Sequence, residues 1–112
     1  MADKKELKEM YKSMKPEMGV FRIQSRISGN CYLYSAKDLK SLMNRYRFQL
    51  ARGSHPDRRL QSEWSEQGAD NFIVEVLERL EYDQDETKSD YAQDLELLRM
   101  IWQDKLNLPS EA

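Results

Sequence analysis

Apolar residues change their spacing several times along the chain, and each change marks a boundary between elements. Between residues 3 and 15, Leu7, Met10, Tyr11 and Met14 recur at helical intervals, and Pro16 stops the run. This predicts an amphipathic N-terminal helix. Met18 to Gln24 reads as a strand, Ser28-Gly29-Asn30 supplies the residues of a tight reversal, and Cys31 to Tyr34 reads as a second strand. Ser35 is the expected cap of the next helix, with Asp38 adding negative charge to its first turn. Leu39, Leu42, Met43, Tyr46 and Leu50 then lie on one helical stripe that runs to about Arg52, where Gly53 suits a left-handed ending.

His55-Pro56-Asp57 opens a shorter helix through about Glu66, with Leu60 and Trp64 sharing a buried face, and Gly68 closes it. The run Phe72 to Leu77 is rich in β-branched and apolar residues and reads as a third strand. After the acidic turn Glu81 to Glu86 comes a long helix. Tyr91, Leu95, Leu98 and Trp102 form its main row, with Leu97, Ile101 and Leu106 widening the face, and Pro109 marks the tail. The order helix, strand, strand, helix, helix, strand, helix departs from the alternation of a doubly wound parallel sheet and predicts a small α+β layer.

The 112 residues suit one core rather than two. Expected boundaries are an N-terminal helix over 1–16, a domain over 17–108 and a tail over 109–112. The sequence is 39% hydrophobic and 34% charged, a composition that favours a soluble globular protein over a disordered or membrane-spanning one. The first fifteen residues lack the apolar core of a secretory signal, and a single cysteine, Cys31, leaves no partner for an internal disulfide, so a reducing cytoplasm is expected.

The net charge of −2 conceals an asymmetry: residues 22–59 carry +7, whereas residues 60–112 carry −10. One face can therefore attract phosphates while the whole remains acidic; mutual attraction of the two halves is the alternative.

Gly19-Val20-Phe21, Tyr32-Leu33-Tyr34, the stretch SAKDLKSLMNRYRFQLARGSH and the following LQSEWSEQGADNFIVEVLE together resemble the GIY-YIG nuclease family over about residues 19–106. The resemblance implies a three-stranded, mainly antiparallel sheet flanked by helices, here with an added N-terminal helix. In active members it further implies two tyrosines, a helix arginine and a late glutamate around the scissile phosphate, the glutamate holding a divalent metal. A metal and an arginine fork both neutralise charge growing on the phosphate, and a tyrosine orients or deprotonates a water.

Carried over position by position, the first tyrosine is Phe21, the second is Tyr32, and the glycine ending the second motif is Tyr34. The helix arginine is Leu42, a position commonly His or Tyr is Tyr46, and the glutamate, three residues before the aromatic Trp102, is Arg99. Phe21 lacks the hydroxyl, Leu42 the charge, and Arg99 reverses the sign a metal needs. Glu96, one turn earlier, restores an acidic ligand if the alignment slips.

The expectation is a catalytically degenerate domain that binds DNA or RNA, or regulates a nucleic-acid process, without cleavage and without a metal cofactor. Phosphate contacts are assigned to Lys37, Lys40, Arg45, Arg47, Arg52, Arg58 and Arg59, with Arg22 bordering the old cleft. One alternative is an endonuclease that uses Mg²⁺ or Mn²⁺ in an atypical site. Another is a protein-interaction module that holds a protein partner through its N-terminal helix and acidic last third. No membrane partner is expected. His55 reads as an ordinary exposed turn residue, Cys31 as a small buried hydrophobe and the six methionines as core filler.

Overall fold

A computed structural model describes residues 15–85 and 87–108. The helix expected over residues 3–15 and the tail from 109 lie outside the described residues, Lys15 excepted. Strand β1 (Met18–Ser25) occupies the centre of a three-stranded antiparallel sheet, between β2 (Cys31–Ala36) and β3 (Phe72–Leu80). Ser25 accepts from the amide of Gly29 and donates its own amide to Asn30, closing the hairpin, and Gly29 takes the left-handed φ of 80° that this reversal requires.

Register places Phe21 opposite Tyr34 and Val76, and Ile23 opposite Tyr32 and Val74, so these residues share one face. That face is covered by α1 (Leu39–Arg52) and α2 (Arg58–Gln67), and its core gathers Phe21, Ile23, Tyr32, Leu39, Leu50, Leu60 and Phe72, with Leu42, Tyr46 and Trp64 packed against them. The opposite face, holding Met18, Val20 and Arg22, is covered by α3 (Ala92–Lys105), whose Leu95 packs with Met18 and Tyr91. A bulge at Leu77 in β3 shifts the pairing between Val20 and Phe21. The extra residue turns Glu78 and Leu80 toward α3, where the indole of Trp102 donates to Glu78 Oε1 at 2.9 Å.

Gly19, the first residue of the Gly-Val-Phe motif, sits where β1 crosses β3 closely. A Cβ there would lie 2.1 Å from the carbonyl oxygen of Glu78, so only glycine fits without moving the backbone.

Several sequence expectations are corrected. Ser35 remains in β2, paired with Val20; the residue that caps α1 is Asp38, whose carboxylate accepts from the Ser41 amide at 3.1 Å. An extended strand residue cannot also begin the helix. Helix α2 starts at Arg58, capped by Asp57, rather than at His55. Strand β3 continues three residues past Leu77, because the bulge restores pairing beyond it.

The apolar face of α3 is narrower than its sequence suggests: Leu97 and Ile101 are 58% and 50% exposed, and Met100 is exposed too, so not every methionine fills the core. Cys31 is only half-buried, beside Arg22 on the α3 side of the sheet.

Candidate functional site

Phe21, Tyr32, Tyr34, Leu42 and Tyr46 do come together, all in the core under α1 and α2. Strand alternation aims Phe21, Tyr32 and Tyr34 at the same side, and the i, i+4 spacing of Leu42 and Tyr46 turns both toward them. The rings of Phe21 and Tyr34 lie 5.6 Å apart, and those of Tyr34 and Tyr46 meet edge to face at 5.0 Å. Phe21 is 0% exposed. The cluster is thus a packed aromatic core.

The hydroxyls of Tyr32 and Tyr34 are engaged. Tyr34 donates to Asp57 Oδ2 at 2.8 Å, so the same carboxylate that caps α2 through its Oδ1 also ties that helix to β2. Tyr32 donates to Glu63 of α2. Burial, reinforced by this bond to a carboxylate, pushes the Tyr32 phenol far above its ordinary value, which makes it a poor base at neutral pH.

Glu63 is a residue that sequence reasoning missed. It also accepts from Ser28 Oγ at 2.6 Å, Asn30 Nδ2 at 3.0 Å and Gln67 Nε2 at 3.3 Å, binding the hairpin turn to α2. Burial raises its pKa, but these donors outweigh it and hold the carboxyl below its usual range. No local signal marks Glu63, since its partners Ser28, Asn30 and Tyr32 lie more than thirty residues away.

His55 is the second surprise. The expected exposed turn residue is 5% exposed and packs edge-on against Tyr46, ring centroids 4.4 Å apart, and beside Tyr34. Gly53, at φ 76°, reverses the chain after α1, and Gln61 then stitches the connection by donating to Leu50 O and accepting from the His55 amide. The Asp57 amide donates to His55 Nδ1 at 3.0 Å. An N–H can only donate, so Nδ1 carries no proton and the proton of the neutral ring sits on Nε2. Nε2 is buried and has no hydrogen-bond partner among the described residues. Desolvation lowers the imidazole pKa, partly offset by Asp57. The sequence signal available was Asp57 as a cap: a helix returning against α1 tucks its preceding residues into the junction.

Arg99 does not join this cluster. It lies on α3, across the sheet, where its guanidinium bonds to both carboxylate oxygens of Glu96 and to Gln103 Oε1. A divalent cation fits poorly at such a position, because the guanidinium is cationic and Glu96, held low in pKa chiefly by Arg99, already spends its charge on that pair. Among the described residues, no three His, Cys, Asp or Glu side chains converge as a metal site.

The basic residues divide. Lys37, Lys40, Arg45, Arg47, Arg52, Arg58 and Arg59 are all exposed, and none forms a salt bridge among the described residues. They occupy the outside of α1, the turn before it and the first turn of α2. Arg45 is close enough to lower the Tyr46 pKa against the larger upward effect of burial, and Arg59 acts likewise on Tyr32, so both flank the aromatic cluster. Arg22 stands apart, on the α3 face, paired with Glu75 and with its Nε buried. Among the described residues, no helix is long and apolar enough to cross a membrane.

No protein-family model matches the chain, and no curated protein matches its sequence. Solved structures do. The catalytic domain of the homing endonuclease I-TevI superposes with a TM-score of 0.65 at 23% identity, covering 80% of this chain and 88% of that one. A point mutant of the same domain, described as that of an intron endonuclease, gives 0.64 at 23% identity over 81% and 84%. The three antiparallel strands, the two helices on one face and the third on the other thus constitute the nuclease-like fold of the I-TevI catalytic domain, the GIY-YIG architecture.

Proposed function

We propose that this protein binds nucleic acid through the outer surface of α1 and the start of α2, and does not cleave it. The observation that carries the proposal is the group of seven exposed basic side chains, unpaired by carboxylates among the described residues, around a cluster whose Tyr32 and Tyr34 hydroxyls are already bonded to carboxylates. Lys and Arg side chains presented this way exchange counterions for phosphates and hold a strand without reading its sequence. The structural neighbours add support, since in them this fold is the catalytic domain of an endonuclease.

The absence of cleavage follows from side-chain chemistry. Phe21 offers no hydroxyl, Leu42 offers no fork for phosphate oxygens, and Tyr32 points its proton at Glu63 rather than holding a water to be deprotonated. Arg99 supplies no ligand to a cation.

The test combines binding and cutting. Purified protein is titrated into fluorescent linear and branched DNA at several salt concentrations, with Mg²⁺, with Mn²⁺ and with chelator. The expected result is a salt-sensitive complex without metal-dependent products. Replacing Lys40 and Arg47 together by glutamate is expected to lower affinity at least about tenfold and to flatten the salt dependence by about two phosphate contacts. Metal-dependent cleavage overturns the non-cleaving reading, and unchanged affinity in the double variant overturns the assigned surface.

A further inference from the structure

On the outside of α1, Arg45, Phe48, Gln49 and Arg52 follow one another at i, i+3, i+4 and i+7, the spacing of a single helical stripe. With Ser54 they line an open depression of about 570 Å³. Phe48 is 60% exposed, so this ring contributes little to the fold, and the Arg52 guanidinium lies 5.1 Å from its centroid. The Gln49 side chain makes no hydrogen bond among the described residues, and its carboxamide oxygen is buried without a partner. Rotation of that amide into the depression therefore sacrifices no existing bond and brings a donor and an acceptor to whatever lies there.

We infer that this depression seats an unpaired nucleotide: Phe48 and the Arg52 plane stack on the base, Arg45 and Arg52 hold the flanking phosphates, and Gln49 meets the base edge. The inference rests on the nucleic-acid reading above and sharpens it from phosphate binding to recognition of single-stranded or unpaired segments. The reason is the ring. Tracking a duplex backbone requires only cations, because paired bases keep their faces stacked on one another, whereas an exposed aromatic flanked by guanidinium groups matches the π-face of a free base. Two arginines with no carboxylate partner among the described residues make the depression complementary to a polyanion rather than to an acidic or neutral apolar ligand.

The test compares fluorescein-labelled oligothymidylate with a duplex of equal length, using wild-type protein, Phe48→Ala, Phe48→Trp and Arg45→Glu/Arg52→Glu. Phe48→Ala is expected to weaken oligothymidylate binding about tenfold, the loss of one stacked base, while duplex affinity and salt dependence stay unchanged. Phe48→Trp is expected to retain binding and to show tryptophan quenching by the oligonucleotide beyond that of the wild type. Exposure of the side chain leaves the fold intact in both variants, which circular dichroism checks. If Phe48→Ala binds oligothymidylate as tightly as wild type while Arg45→Glu/Arg52→Glu loses both ligands, the stacking site is refuted and the phosphate-binding reading stands. If wild type binds neither oligonucleotide, both readings fall.

Discussion

Under α1 and α2 the sheet presents Phe21, Ile23, Tyr32 and Tyr34, and the polar tips of the tyrosines reach across to Asp57 and Glu63 of the α2 segment. Under α3 it presents Met18, Val20 and Arg22, with a cross-strand pair from Arg22 to Glu75 and one indole bond from Trp102 to Glu78. The first face fixes the position of a helix by specific long-range hydrogen bonds to aromatic side chains. The second relies on apolar packing of Met18, Tyr91 and Leu95 plus polar contacts at its margin. Positions to which the nuclease resemblance assigns chemistry lie, on the first face, in core and scaffold, and Arg99 on the second face bonds to Glu96 and Gln103 of its own helix.

Substitutions at Phe21 probe the first face most strongly. Phe21→Ala is expected to destabilise the protein by ~3–5 kcal/mol in chemical denaturation, the cost of a large cavity at a fully buried ring. Phe21→Tyr, which introduces the residue type that the nuclease resemblance implies, is expected to cost about 1–3 kcal/mol, because the added hydroxyl enters a core of close aromatic contacts and has no arranged partner. A Phe21→Tyr protein as stable as wild type breaks the contrast, since the cluster would then have room for a working site.

Arg22→Met tests the second face and is expected to change stability by less than about 1 kcal/mol. The methionine keeps the buried stem, Glu75 remains solvated, and the pair it removes is only partly shielded. A loss as large as that of Phe21→Ala shows that the ion pair organises the α3 face.

The smallest effect is a pH dependence confined to the first face. The folded pKa of His55 lies below its ordinary value of 6.5, so the unfolded chain binds its proton more readily than the folded one. The stabilisation is fully present above about pH 6.5 and is lost as pH falls from there through the folded value. Glu63, also depressed, adds a separate loss at lower pH, below its ordinary 4.5. His55→Asn, whose amide oxygen can replace Nδ1 as acceptor from the Asp57 amide, is expected to remove the upper slope and leave the lower one. Thermal unfolding between about pH 2 and 8 measures both, and an unchanged upper slope in the variant excludes His55 as its source.

The legibility of these features differs by range. Apolar runs over Met18–Gln24 and FIVEVL, the stripe from Leu39 to Leu50, and Gly53 and Gly68 at helix ends are local signals, and their elements form at those segments, with the start of α2 and the end of β3 shifted by three residues. Ser35 reads as the cap in place of Asp38 because two short polar residues three apart offer the same chemistry, and only strand pairing with Val20 excludes the first. The width of α3 was overread for a related reason: Leu97 and Ile101 have the right spacing, but no neighbouring element lies over them among the described residues.

The sequence by itself determined the kind and order of the strands and helices between Met18 and Lys105 and the concentration of cation charge between residues 22 and 59. These rest on dihedral preference, periodicity and composition, which a chain carries before it folds. Tertiary structure alone decided that Arg22 leaves the basic surface for Glu75, that His55 is buried, and that Glu63 gathers the hairpin turn. Each depends on which side chains meet across a folded interior, where burial and a partner's charge reset the chemistry of a residue whose local sequence is silent about both.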